Sequence, residues 1–310
     1  MFLSPDDQTA LAELDERLKV LLPPAYADSY ETLSPVPMKS AGLKLDARGD
    51  VAWNEIWESF CDLALAGGPP HKGALLGPAS AADVEAHPEL YDRVVREVCR
   101  GVEMVTTMPC EPAGTPGWVR VECYSPTMAA WLLRAIVTEN VAARAAGARL
   151  DLPVAPSFRL EKEIKNIVTV SAKTSHYWLE HMPRAQQRAI AELIASLDRV
   201  SPLVTPIEPD VAEIAAATAR TAQAMGEQIE RQTGLRWSGS GGAGWTGVDC
   251  LDASVAIWMM RALVALNVLA RREAQTLFVP VHPDADPGGV RVWSAVATVH
   301  RLARARGKTR

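Results

Sequence analysis

The sequence predicts an α+β fold in which two similar copies follow one another along the chain. Residues 117–154 align without a gap with residues 244–281, at an offset of 127, and 16 of the 38 aligned positions are identical. Tryptophan and cysteine seldom coincide by chance, and both recur here. The identical positions include Trp118/Trp245, Cys123/Cys250, Trp131/Trp258, Arg134/Arg261, Asn140/Asn267, Arg144/Arg271 and Pro153/Pro280. We therefore expect an internal duplication and a pseudo-twofold arrangement of the two copies.

Hydrophobic patterning predicts the same order of elements in both copies: helix, strand, turn, strand, helix, strand. Helical periodicity covers residues 84–104 and 209–231, and the segments GWVRVEC and GWTGVDC alternate like half-buried strands. A long helix then follows Ser125 in one copy and Asp252 in the other, and both residues are good N-caps. A hairpin followed by a helical crossover predicts helices packed on a mixed β-sheet.

The same patterns divide the chain into five segments. The 50 residues at the N-terminus have no counterpart in the repeat, and we expect them to wrap the core. A further helix is expected to connect the two copies and to end at Pro183. The predicted segments are an N-terminal extension (1–50), a first α+β repeat (51–158), a connecting helix (159–182), a second α+β repeat (183–284), and a C-terminal helix with a basic tail (285–310).

Composition and charge argue against several classes of protein. The net charge is −5 and 48% of the 310 residues are hydrophobic, so a strongly basic surface for nucleic acid is not expected. No run approaches the roughly 18 apolar residues of a membrane span, and the N-terminus does not resemble a secretory signal. The five cysteines include no CxxC pair, which argues against a disulfide framework or a zinc finger. We expect a cytoplasmic protein with neither nucleic acid nor membrane as a partner.

The segment GGPPHKG, residues 67–73, occurs only in the first copy. At the repeat offset it aligns with residues 194–200 of the second copy, where the sequence continues as a helix. One interpretation is a rigid loop in which His71 exchanges protons while Lys72 and the backbone N–H groups near Gly68 and Gly73 bind an anion. The other interpretation is a helix stop, since glycine and then proline commonly end a helix. The P-loop order of residues is absent.

The connecting helix carries a second candidate surface. At helical spacing, one side is polar and rich in cations, and past the acidic Glu161 and Glu163 the sequence offers it no acidic partner before Glu180. The residues of this stripe are Lys162, Lys165, Asn166, Thr169, Lys173 and His176. Such a stripe is either a solvated face or part of a cleft that binds an anion. Arg134, on the repeated helix, has the same two interpretations, because it either lies over an aromatic ring or faces the cleft.

A metal site is a further alternative at the end of this helix. His176 and Glu180 are four residues apart, a spacing that places two ligands on one helical face. A third ligand would come from elsewhere, for instance His71, because the second histidine of HExxH is missing.

These observations favour an enzyme that acts on a small carboxylate or phosphate in a single site between two pseudo-symmetric halves. His71 and His176 would carry out acid–base chemistry, with Gly68, Lys72, Gly73, Lys165, Thr169, Lys173 and Arg134 binding the substrate. The alternatives are a non-catalytic small-molecule-binding or assembly protein, and a metal-dependent enzyme using His71, His176 and Glu180. The sequence contains no nucleotide-cofactor motif, and the cofactor, the reaction and the oligomeric state stay open.

Overall fold

The computed structural model describes residues 4–24, 42–56, 73–208, 212–242 and 244–307. Gly68, His71 and Lys72 lie outside these residues. The chain divides into two compact units, which we call the first unit (Val36–Gln187) and the second unit (Met1–Pro35 together with Arg188–Arg310). Each unit is described by itself below.

The described residues form both helices and strands, in an order typical of an α+β protein. In chain order they are α1 (Pro5–Leu21), α2 (Ala81–Ala86), α3 (Pro88–Thr106), β1 (Cys110–Pro112), β2 (Trp118–Glu122), α4 (Pro126–Thr138), β3 (Arg144–Ala146), β4 (Arg149–Pro153), α5 (Lys165–His176), α6 (Arg184–Val200), α7 (Ala212–Thr233), β5 (Arg236–Ser240), β6 (Trp245–Asp249), α8 (Ala253–Ala265), β7 (Arg271–Glu273), β8 (Thr276–Pro280) and α9 (Val290–Ala305). The α+β class is as predicted. Among the described residues, no helix combines the length and the apolar character needed to cross a membrane.

Each unit contains one four-stranded sheet, and the two sheets have corresponding topologies. The strand orders are β1-β2-β4-β3 and β5-β6-β8-β7, and every pairing is antiparallel. The prediction of a mixed sheet is therefore wrong. After the helix, the returning strand runs in the same direction as the strand before the helix: β3 is parallel to β2, and β7 is parallel to β6. A tight turn at Gly147 (φ +60°) or Ala274 (φ +49°) then reverses the chain, so that the next strand inserts between the two and pairs antiparallel with both.

The central strand pair keeps the same register in both sheets. Trp118 lies opposite Pro153 on β2 and β4, and Trp245 lies opposite Pro280 on β6 and β8. An arginine from the edge strand stacks on each tryptophan, with Arg144 at 4.5 Å from the Trp118 ring centroid and Arg271 at 5.2 Å from that of Trp245. Cation–π contact stabilises such pairs.

The partners of these arginines differ between the sheets. In the first unit, Arg144 and the cross-strand neighbour Arg120 both bind the buried carboxylate of Asp151, at 2.9 and 2.8 Å. In the second unit, the cross-strand pair at the equivalent register is Gly247 and Phe278, and Arg271 lies 4.0 Å from the Phe278 ring centroid. Arg271 also forms an ion pair with Glu273 and donates to the Gly241 carbonyl at 2.7 Å. The cross-strand carboxylate Asp151 of the first sheet thus corresponds to the Phe278 ring in the second, where Gly247 leaves room for the ring.

The helix that follows the central hairpin begins and ends in the same way in both units. The Ser125 side chain accepts a hydrogen bond from the Met128 amide, and Asp252 accepts one from Val255, which confirms both predicted N-caps. Asn140 and Asn267 follow the helix ends in the left-handed conformation, at φ +61° and +62°. Asparagine tolerates this conformation better than most residues, so its recurrence has a structural cause.

The connecting helix is helical from Leu160 to His181. Its centre is α5, and a π-helical turn lies at each end, Leu160–Ile164 and Tyr177–His181. The chain leaves the helix just before Pro183, as predicted. In the second unit, α1 contacts α8 and α9, and ion pairs Asp7–Arg301 and Asp15–Arg306 join α1 to the C-terminal segment.

Substitution of Gly247 tests how closely the side chains around the second sheet are packed. A Cβ atom at this position would lie 2.8 Å from the Phe278 ring and 2.5 Å from the Ser238 hydroxyl oxygen. We expect Gly247→Ala to lower the free energy of unfolding by about 1–3 kcal/mol, the usual cost of overpacking. Urea denaturation measures this change.

A double-mutant cycle provides the control. If the Phe278 ring causes the loss, alanine at position 247 costs less in a Phe278→Ala background than in the wild type. Equal losses in both backgrounds would show that the ring is not responsible. Gly77→Ala, where no atom lies within 4 Å of the added Cβ, should change stability little.

Candidate functional site

The π-helical turn at Tyr177–His181 brings two histidines together. The Met182 amide donates to the Tyr177 carbonyl at 3.0 Å, the five-residue hydrogen bond of a π-helix. This wider turn places His181 on the same side of the helix as His176, five residues earlier. Single π-helical turns occur frequently at functional sites, and this one ends the helix that carries the predicted residue His176.

Glu180, His176 and His181 form a continuous hydrogen-bonded chain. The Glu180 carboxylate Oε1 lies 3.2 Å from His176 Nδ1, and His176 Nε2 lies 3.0 Å from His181 Nε2. The two imidazole rings meet edge to face, with centroids 4.7 Å apart. His176 is largely buried, with 15% of its side chain exposed, whereas 67% of the Glu180 side chain is exposed. The buried ring therefore lies between an exposed carboxylate and a second imidazole.

The hydrogen-bond partners assign the tautomer of each ring when both are neutral. A carboxylate only accepts hydrogen bonds, so His176 donates from Nδ1 and carries a lone pair on Nε2. His181 must then donate from Nε2, which leaves the lone pair on its Nδ1. Among the described residues, that nitrogen has no hydrogen-bond partner. The chain thus ends in a basic nitrogen that is available to another molecule.

His181 lines a cleft of about 800 Å³ in the first unit, here called the His181 cleft. Its walls come from the connection between β2 and α4, from the π-helical turn, and from the start of α6: Tyr124, Ser125, Trp178, Leu179, Glu180, His181, Met182, Pro183, Arg184 and Gln187. The Gln187 side-chain amide donates to the carbonyls of Trp178 and Met182, at 2.9 and 3.0 Å. These two bonds tie the π-helical turn to α6 and fix the cleft wall.

Arg184 supplies a positive charge to this cleft. It is the first residue of α6, and its side chain forms no ion pair with the described residues. The first amide groups of a helix and its macrodipole also favour an anion. The same cleft therefore contains a basic nitrogen and an arginine without an acidic partner in the described chain.

The predicted cationic stripe on α5 is largely engaged in internal contacts. Lys173 forms an ion pair with Glu139 at 2.8 Å, and both side chains are nearly buried. Burial lowers the pKa of Lys165, and the Thr169 hydroxyl donates to the Lys165 carbonyl. The expectation that the stripe lacks an acidic partner before Glu180 is therefore wrong, because Glu139 reaches it from the end of α4.

The other predicted residues are dispersed. Arg134 is buried within α4 and donates to the carbonyl of Ala130 at 2.8 Å. The Gly73 carbonyl accepts a hydrogen bond from the Asn140 side chain at 3.2 Å. Gly73 also lines a small cleft of about 200 Å³ together with Lys162 and Asn166, so the end of the GGPPHKG segment lies beside the connecting helix. His71, Lys72 and Gly68 lie outside the described residues.

No metal cluster is evident in the part of the chain that the structure describes. No three histidine, cysteine or acidic residues there are arranged to hold a metal ion, and the Glu180 carboxylate contacts His176 itself. Burial raises the pKa of the Cys123 and Cys250 thiols to about 12, which disfavours the nucleophilic thiolate form of each.

His181 and Arg184 were not selected as site residues from the sequence. The spacing of an α-helix places Glu180 on the same face as His176, but it does not place His181 there. A spacing of five residues on one face occurs only where the helix widens into a π-turn. The sequence His181-Met182-Pro183-Arg184 carries no short motif that would signal the cleft.

Comparison with known proteins does not identify the chain. No family model, curated protein or solved structure matches it.

The tautomers can be tested by NMR. In two-bond ¹⁵N–¹H spectra of the neutral protein, we expect His176 to be protonated on Nδ1 and His181 on Nε2. Glu180→Ala should remove the fixed Nδ1–H tautomer of His176, whereas Glu192→Ala, on the exposed side of α6, should leave both tautomers unchanged. A wild-type His176 protonated on Nε2 would contradict the chain described above.

Proposed function

We propose that the first unit contains the active site of an enzyme that acts on a small anionic molecule, a carboxylate or a phosphate, by histidine acid–base chemistry. The observation that carries this proposal is the Glu180–His176–His181 chain, which ends at the His181 cleft. In this proposal His181, rather than His71, takes a proton from the substrate and returns it. His176 and Glu180 are positioning residues.

The hydrogen-bonded chain supports the role of His181 as a base. A general base must present a lone pair in a fixed direction to the proton that it removes. His176 holds the His181 ring through Nε2, and Glu180 holds the tautomer of His176. When His181 Nδ1 accepts a proton, the ring becomes positively charged, and the nearby Nε2 lone pair of His176 stabilises that charge. A carboxylate orients and stabilises the histidine of a serine protease by the same principle.

Arg184 and the start of α6 support an anionic substrate, and the one carboxylate of the lining, Glu180, contacts His176. The Arg184 guanidinium provides two parallel N–H donors, a geometry that matches a carboxylate or a phosphate. The first amide groups of α6, whose first residue lines the cleft, are further donors that favour an anion. A substrate held there by its anionic group would place its remaining atoms beside His181 and Tyr124 in the mixed polar and apolar wall.

We also infer that the two units arose by duplication and that only one copy retains this acid–base chain. The equal strand orders, the equal central registers and the two left-handed asparagines at matching positions support a common origin. In the second unit, α9 carries His300 and Arg304 at the spacing of His176 and Glu180. An arginine there cannot orient a histidine as a carboxylate does, so the second unit would not act as a second copy of this active site.

Proton exchange with solvent tests the proposal. Small 2-oxo acids, hydroxy acids and sugar phosphates are incubated with the protein in D₂O, and ¹H NMR follows the loss of C–H signals. For a molecule that exchanges, His181→Gln should reduce the rate roughly a hundredfold or more, the usual contribution of a general base. His87→Gln, an exposed histidine of the same unit, is the matched control and should have no effect.

Two further variants separate positioning from binding. Glu180→Gln should lower kcat with little change in KM, because it acts through His176. Arg184→Gln should mainly raise KM, and Arg188→Gln, one turn later on α6, should not. Exchange that is unaffected by His181→Gln would overturn the proposal. Saturable binding without exchange, weakened by Arg184→Gln, would favour the non-catalytic binding protein instead.

A further inference from the structure

The second unit contains its own cleft, of about 340 Å³, here called the His300 cleft. It lies where the end of α7 and the start of β5 meet the end of β6 and the last turns of α9. Its lining residues are Thr233, Gly234, Leu235, Arg236, Asp249, Cys250, Leu251, His300 and Arg304. None of these residues belongs to the active site proposed above.

His300 is the unusual residue of this cleft. Only 7% of it is exposed, yet no described residue forms a hydrogen bond with its ring. Neither ring nitrogen is among the fully buried polar atoms without a partner in the described residues, so the ring can form a hydrogen bond with a molecule in the cleft. Burial, and then the nearby Arg304, lower the pKa of His300. The ring is therefore neutral near pH 7 and offers one N–H donor and one acceptor.

Arg304 adds a positive charge one turn further along α9. It lines the same cleft, and its guanidinium forms no ion pair or hydrogen bond with the residues that the structure describes. The carbonyl groups at the end of a helix favour a cation, which explains how Arg304 is tolerated there. Because the ends of α7 and α9 by themselves disfavour an anion, the bidentate donors of Arg304 supply the attraction that the proposed ligand needs.

The other charged or ionisable groups of the cleft do not neutralise Arg304. Asp249 forms an ion pair with Arg236 and accepts a hydrogen bond from the Thr276 hydroxyl at 2.8 Å. The Cys250 thiol stays protonated, because burial raises its pKa to about 12. Arg304 is therefore the charged side chain of this cleft that has no partner among the described residues.

We propose that the His300 cleft is a second anion-binding site, in which Arg304 pairs with a small carboxylate or phosphate and His300 donates a hydrogen bond to it from the cleft wall. The site binds its ligand without transforming it, because it lacks the carboxylate that orients His176 in the first unit. A volume of about 340 Å³ is at the lower end of the range for small-molecule sites, which suits a compact anion. The proposal does not depend on the proposed enzyme activity.

Ligand titration followed by NMR tests this site. The probes are inorganic phosphate and succinate, added at constant ionic strength to the full-length protein, and the ¹H–¹³C signals of the His300 ring are followed. The signals are assigned by comparison with His300→Gln. We expect saturable shifts of the His300 signals with at least one probe, and the stronger of the two identifies the phosphate or the carboxylate class.

Two arginine variants decide the result. Arg304→Gln should weaken binding at least tenfold, and Arg220→Gln should not, although it changes the net charge equally at an exposed position of α7. Because Arg304 is exposed, its replacement should leave the fold intact, which circular dichroism verifies. The proposal is overturned if neither probe shifts the His300 signals, or if the two variants bind equally well. His181→Gln should bind as the wild type does, so this result is separate from that of the enzyme assay.

Discussion

The antiparallel pairing of the two central strands is the constraint on which the rest of each unit depends. In both sheets the tryptophan that begins one strand faces the proline that ends the other. This register sets where the following helix must start and where the edge strand must return. It also places an arginine over each tryptophan ring. The contacts around that arginine then differ: Asp151 from the neighbouring strand binds it in the first sheet, whereas the Phe278 ring and Glu273 contact it in the second. The register of the central strand pair stays the same.

Charge is distributed differently at the ends of the corresponding helices. The first unit has a carboxylate four residues after a buried histidine, and the second has a guanidinium. The Glu180 carboxylate holds His176 in one tautomer. Burial, and then the nearby Arg304, lower the pKa of His300. In the proposals made above, the first environment would serve proton transfer and the second the binding of an anion.

Local sequence patterns predicted the α+β class, the helix starts at Ser125 and Asp252, and the helical segment that ends before Pro183. They did not predict the antiparallel sheets, because nothing in the pattern distinguishes a single returning strand from a short hairpin. The site shows the same limit. The pair His176 and Glu180 follows from α-helical spacing, but His181 joins it only through the wider π-turn. Glu139 reaches Lys173 from 34 residues away in the chain, and local spacing contains no information on such a contact.

Cys123 and Cys250 can report local unfolding of the sheet in the unit that contains each of them. Cys123 and Cys250 lie at the ends of the equivalent strands β2 and β6, and both are almost fully buried. A thiol reacts with an alkylating reagent as the thiolate, which burial disfavours at both positions. Alkylation therefore requires the surrounding sheet to open, and the labelling rate decreases as the free energy of that opening increases. In one variant that keeps Cys123 but not Cys250, and in another that keeps Cys250 but not Cys123, the two labelling rates would show how independently the two units unfold.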